Sequence, residues 1–249
     1  MLRDTLKDKN YYDDRVNFRV ECAKEDIASI SSEGKYTYKV KMKKAYRMVS
    51  DSMYLLHQKY SRGDNLAEFK PLLLDTLTYR QWQKKFADAL PPNEQVARIS
   101  KEELGEHKTE TLLQWLAFSY CLNMGQDYYQ QVLSLIANQG QDGLLDNIAI
   151  AMGDTGRDVA QGTLFKKRFG KLHKVVIAEP AQRPKLVKTY LDAWYTLYGT
   201  PDYHLMDTDA YIGYWCWEAA LVVKLYNIDD SSFIDHEYYP KDLVHWQQY

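Results

Sequence analysis

Apolar side chains recur along this chain at spacings of three and four, the period of one helical face. Val16, Val20, Ala23 and Ile27 follow that period and predict a helix over residues 10–31, broken at 31–34 by Ser-Ser-Glu-Gly. A second helix is expected over 35–60, where Val40, Ala45, Met48, Ser52, Leu55 and Leu56 fall near one stripe. Gly63 follows it, placed to serve as a left-handed cap. Residues 66–88 predict a third helix with Phe69, Leu72, Leu73, Leu77 and Trp82 turned to a core and Pro71 in its first turn or at a kink. Pro91-Pro92-Asn93 closes that region.

The stretch 94–106 is polar and reads as a connection, dividing an N-terminal helical segment, 1–93, from a larger C-terminal one, 107–249. Beyond it the idiom repeats. Helices are expected over 108–124, 128–137, 144–152, 164–178 and 184–198, the last opening on Pro184, whose missing N–H is harmless in a first turn. Residues 210–226 are apolar nearly all round, which predicts a central, buried helix. A last helix is expected over 241–248. Short helices joined by short turns define the fold class as all-α, an antiparallel helical bundle or array.

Composition agrees. Gly and Pro number 12 and 7, too few for a chain of many short strands and tight turns. The 21 Tyr and 6 Trp can fill space between helices and also line a recognition surface. No apolar run is long enough for a bilayer and no secretory leader is visible at the N-terminus. Cys22, Cys121 and Cys216 are odd in number and scattered, which argues against a disulfide framework and for a reducing compartment. The cytoplasm is the expected location.

Charge separates the two ends. Residues 1–62 hold 14 Lys and Arg against 9 Asp and Glu, whereas 200–249 hold 2 against 9. Such imbalance concerns partners more than fold. The Lys35, Lys39, Lys41, Lys43, Lys44 and Arg47 group admits a nucleic-acid-binding reading or plain solvated faces. The acidic end admits a basic protein partner or, again, solvent.

Catalytic chemistry is hard to find. No phosphate-binding Gly-rich loop and no nucleophile-elbow Ser occurs, and the six histidines never pair at metal-ligand spacing. His204, Asp207 and Asp209 offer a weak cation constellation, and neither a metal nor a cofactor is expected. Glu218 lies inside the most apolar helix; it is either a perturbed acid in a site or, as the residues around it favour, a polar tie between helices. Asp229-Asp230-Ser231-Ser232 suits a capped loop and equally a negative rim continued by Asp235 and Glu237. Tyr238 and Tyr239 add rings that can anchor a partner or staple the loop.

Three short runs carry a resemblance. Residues 214–220 (Tyr-Trp-Cys-Trp-Glu-Ala-Ala), 228–233 (Ile-Asp-Asp-Ser-Ser-Phe) and 238–243 (Tyr-Tyr-Pro-Lys-Asp-Leu), in that order and spacing, resemble the C-terminal signature of the PoNi family, immunity proteins against PoNe-type DNase toxins. The Tyr- and Lys-rich second helix ending in Tyr60-Ser61-Arg62-Gly63-Asp64, followed by Leu72-Leu73, is similar in kind. The resemblance implies a non-enzymatic, cytoplasmic protein. It would bind a nuclease toxin delivered between bacteria by a contact-dependent secretion system. A DNase must present positive charge to phosphates. Asp207, Asp209, Asp229, Asp230, Asp235, Glu237, Tyr238 and Tyr239 are therefore the expected toxin-binding residues. The alternative is a helical nucleic-acid-binding or scaffold protein, and the oligomeric state stays open.

Overall fold

The computed structural model describes residues 1–136, 139–199, 202–206, 208 and 210–247. Among them all regular structure is helical and no strand occurs, so the all-α expectation holds. The chain divides into two compact units. The first comprises Met1–Glu103 and Tyr203–Gly213, the second Leu104–Asp202 and Tyr214–Tyr249. The division falls inside the polar connection, but a short later stretch, which the sequence reading assigned to the C-terminal segment, returns to the first unit.

The first unit is built on three long helices, α1 (Lys9–Ser31), α2 (Tyr38–Arg62) and α3 (Phe69–Asp88), with α2 packed against both others. Asp8 starts α1 by accepting from the Tyr11 N–H at 2.8 Å. Gly63 ends α2 at φ +90°, where a side chain would also run into the Met1 carbonyl, so the glycine anticipated there is required twice over. Ile30, Met42, Met48, Tyr79 and Phe86 lie in the shared core. Lys41 reaches back to accept the job of capping α1, donating to the carbonyls of Ile30 and Ser32 at 2.7 Å each. The returning stretch is tied down by side chains of the same unit: Ser61 Oγ donates to the Ile212 carbonyl at 2.9 Å, Tyr11 to that of Tyr211, and the Tyr211 hydroxyl to Asp4.

One helix escaped the sequence pattern. Within the polar stretch 94–106 lies α4 (Val96–Glu102). It has no buried residue, so no apolar stripe announced it. Ion pairs from Arg98 to Asp88 and Glu102 support it instead.

The second unit comprises α5 (Glu106–Cys121), α6 (Gln126–Ser134), α7 (Gly143–Ala151), α8 (Lys166–Ile177), α9 (Arg183–Tyr198), α10 (Trp217–Leu225) and α11 (Lys241–Val244). Every residue of α10 from Trp217 to Val223 is buried, and α5, α7, α8, α9 and α11 all pack on it. The expected helix over 210–226 is corrected at its start. Residues 210–216 are not helical, Gly213 adopts φ +100°, and the Cys216 N–H leaves the helix ladder for the Tyr238 carbonyl at 2.8 Å. The last helix is shorter than the expected 241–248, since it stops at Val244; Gln248 lies outside the described residues.

Two buried carboxylates organise α7. Asp142 accepts from the Leu144 and Leu145 N–H groups, the Thr163 hydroxyl and the Leu164 N–H, all within 3.1 Å. Asp146 accepts from Arg157 Nε at 2.7 Å and from the N–H groups of Gly140 and Ala160. Together they wrap the long loop before α8 around the start of α7.

Candidate protein-binding surface

The signature runs meet in the second unit. The Cys216–Tyr238 backbone bond latches the extended entry of α10 to the loop that precedes α11. In the first turn of α10, Glu218 is 3% exposed and accepts from Tyr190 Oη at 2.7 Å and Trp194 Nε1 at 2.9 Å, both from α9. Burial raises its carboxyl pKa above the usual glutamate range, while its own backbone N–H and the Tyr190 hydroxyl pull it part of the way back. The surroundings match a polar tie between helices. Burial likewise pushes the Cys121 thiol up to about 12 and the Cys216 thiol well above its ordinary value, so neither is prepared as a thiolate.

Rings extend outward from that tie. Tyr238 stacks on Tyr195 with centroids 5.5 Å apart and meets Trp194 at 5.2 Å; Trp194 stacks on Tyr198 at 4.7 Å, and the Arg168 guanidinium lies over Tyr198. Arg168 also pairs with Glu110 at 2.9 Å. None of the α9 rings stood out in the sequence. Their only signal is the i, i+4 spacing of Trp194 and Tyr198, which is indistinguishable from ordinary core.

The eight expected contact residues separate by environment. Asp230 is buried and accepts from Tyr239 Oη at 2.8 Å, with His245 Nε2 also 2.8 Å away. Tyr239 is 2% exposed, its hydroxyl held protonated by burial and by that carboxylate. These two brace the loop from within. Asp229, Asp235 and Glu237 are exposed. Asp229 accepts from the Ser231 N–H, which lowers its pKa, and Asp235 pairs with Lys241. Half-buried Tyr238 links rim and ring stack; burial first, and the Glu237 charge second, lift its hydroxyl to about 12. Asp207 and Asp209 lie outside the described residues, so of the weak cation constellation only His204 is placed.

The basic group of α2 is largely occupied. Lys41 caps α1, Lys44 and Arg47 hold Asp26, and Lys39 approaches Glu94. Cations committed to internal carboxylates and carbonyls offer little to a phosphate backbone.

What these residues make is an all-helical array whose C-terminal segment is latched, ring-stacked and edged with acid. By comparison, residues 140–243 match the model of PoNe immunity proteins (PoNi), C-terminal. The chain is also similar to Protein PA2201 from Pseudomonas aeruginosa, known from a crystal structure. The TM-score is 0.73 at 18% identity, over 98% of this chain and 89% of that one, a likeness of fold. No curated protein matches the chain.

Proposed function

We propose that this protein is an immunity protein that neutralises a cognate PoNe-type DNase toxin by binding it one to one in the cytoplasm of the cell that makes both. The observation that carries this reading is the PoNi match over residues 140–243. The geometry supports it in a second way. Asp229, Asp235 and Glu237 put negative charge on a loop stiffened by the Asp230–Tyr239 bond and the Tyr238 stack. A preorganised acidic rim speeds encounter with a basic nuclease and loses little entropy on docking. No helix among the described residues is long and apolar enough to cross a membrane.

The test is reconstitution with the cognate PoNe-type nuclease, to be sought in the neighbouring gene. The protein, added in equimolar amount, is expected to stop plasmid degradation by the purified nuclease domain and to elute with it as one complex. Undiminished DNA cleavage, with the two proteins eluting apart, would overturn the proposal.

A further inference from the structure

The three long helices of the first unit leave a groove on one side of α2. It encloses about 200 Å³, with Val20 and Ile27 of α1 on one wall, Leu72 and Asp75 of α3 on the other and Met48 and Leu55 of α2 beneath. Val20 and Ile27 stand two turns apart on one helix face, 36% and 37% exposed. Small-molecule pockets usually enclose about 300–1,000 Å³. This groove is smaller and lined mainly by aliphatic and aromatic side chains, a shape suited to successive side chains of a helix laid along it.

Charge distinguishes which helix. Asp26 and Asp51 also border the groove, but the first is held by Lys44 and Arg47 and the second by Arg19 at 2.9 Å. Asp75 has no hydrogen bond or ion pair to any described residue. Its carboxyl is exposed by area, yet the groove walls crowd it enough to raise its pKa by desolvation. Lys24 also lines the groove but pairs with Glu21 at 2.7 Å, which leaves Asp75 as the charge on the lip of this trough without an ion pair among the described residues.

We infer that this groove seats an amphipathic helix of the DNase toxin, with apolar residues against Val20 and Ile27 and a Lys or Arg on Asp75. The inference rests on the proposed function, since a DNA-binding partner supplies the basic character that Asp75 matches. It adds a docking surface separate from the acidic rim.

The experiment titrates the purified toxin nuclease domain against the wild-type protein, Val20→Glu/Ile27→Glu, Asp75→Asn and Asp75→Lys. Circular dichroism melts establish that each variant folds, and sedimentation of each protein alone gives its oligomeric state. The double variant is expected to raise Kd at least tenfold and Asp75→Lys more than Asp75→Asn. A toxin Lys or Arg changed to Glu should restore binding to Asp75→Lys. Wild-type Kd retained by every variant would overturn the groove while leaving the immunity reading intact. A wild-type dimer that the double variant converts to monomer would overturn it in favour of a second copy. No binding by the wild-type protein would defeat the immunity reading and the groove with it.

Discussion

Glu218→Ala removes one acceptor from two buried donors at once. Tyr190 Oη and Trp194 Nε1 both point at Glu218 Oε1, at 2.7 and 2.9 Å, and both rings are buried. Leaving a buried donor unsatisfied costs about 1–3 kcal/mol, so the variant should lose about 2–6 kcal/mol, a large part of the roughly 5–15 kcal/mol that holds a typical domain together. Glu218→Gln keeps a carbonyl oxygen in the same place and should lose far less. Wild type and Glu218→Gln also separate in pH. Burial raises the carboxyl of Glu218 above 4.5, so the folded chain retains its proton to higher pH than the unfolded chain does. Wild-type stability relative to Glu218→Gln is thus full below pH 4.5 and falls as pH rises through the raised folded value. Urea unfolding followed by tryptophan fluorescence at pH 4, 6 and 8 measures all of this. An alanine variant within 0.5 kcal/mol of wild type, or a pH-independent difference between wild type and Glu218→Gln, would refute the reasoning. A folded Glu218→Gln protein that no longer protects against toxin would show that the carboxylate acts beyond the tie.

Three further outcomes are expected. Asp142→Ala discards a helix cap and two loop anchors together, and should cost about 2–5 kcal/mol in chemical denaturation, with local hydrogen exchange rising in the loop before α8. His57 is fully buried and its imidazole is driven down to about 3, by burial first and by Arg19 second. The unfolded chain then takes up the proton first, so its contribution is complete above pH 6.5 and is lost as pH falls toward 3. His57→Gln should flatten that limb of the acid-unfolding curve, which otherwise slopes by up to about 1.4 kcal/mol per pH unit. Reversing the exposed acids, Asp229→Lys, Asp235→Lys and Glu237→Lys together, should slow association with the toxin at low salt and cost no more than about 1.5 kcal/mol of urea stability, about 0.5 for each site; stopped-flow binding at two ionic strengths distinguishes this from a folding defect.

Most of the architecture could be read from periodicity because these helices bury a stripe. Val16, Met48, Leu73 and Leu113 each sit on one and are buried as the spacing predicts. Where no stripe is buried the reading failed, as in α4, which Arg98 ion pairs sustain. It failed in the opposite sense at 210–216, where apolar residues are plentiful but serve an extended strap, set by Gly213 and by a backbone bond to Tyr238 that spans 22 residues. The C-terminal surface was legible in composition and not in orientation. Asp229 and Asp230 are neighbours of identical chemistry, yet one faces solvent and the other accepts from Tyr239. Only the path of the loop decides between them, and that path depends on rings of α9 that no local motif announces.

The return of Tyr203–Gly213 to the first unit means that the chain passes from one unit to the other three times. No single cut yields two intact halves. A fragment ending near residue 103 would forfeit the partners of Ser61, Tyr11 and Asp4, and one beginning at 104 would carry an eleven-residue orphan of its neighbour. Recombination that exchanges the C-terminal segment between relatives must therefore also find a replacement strap that fits the recipient's amino-terminal helices. That requirement ties the inheritance of the two units together.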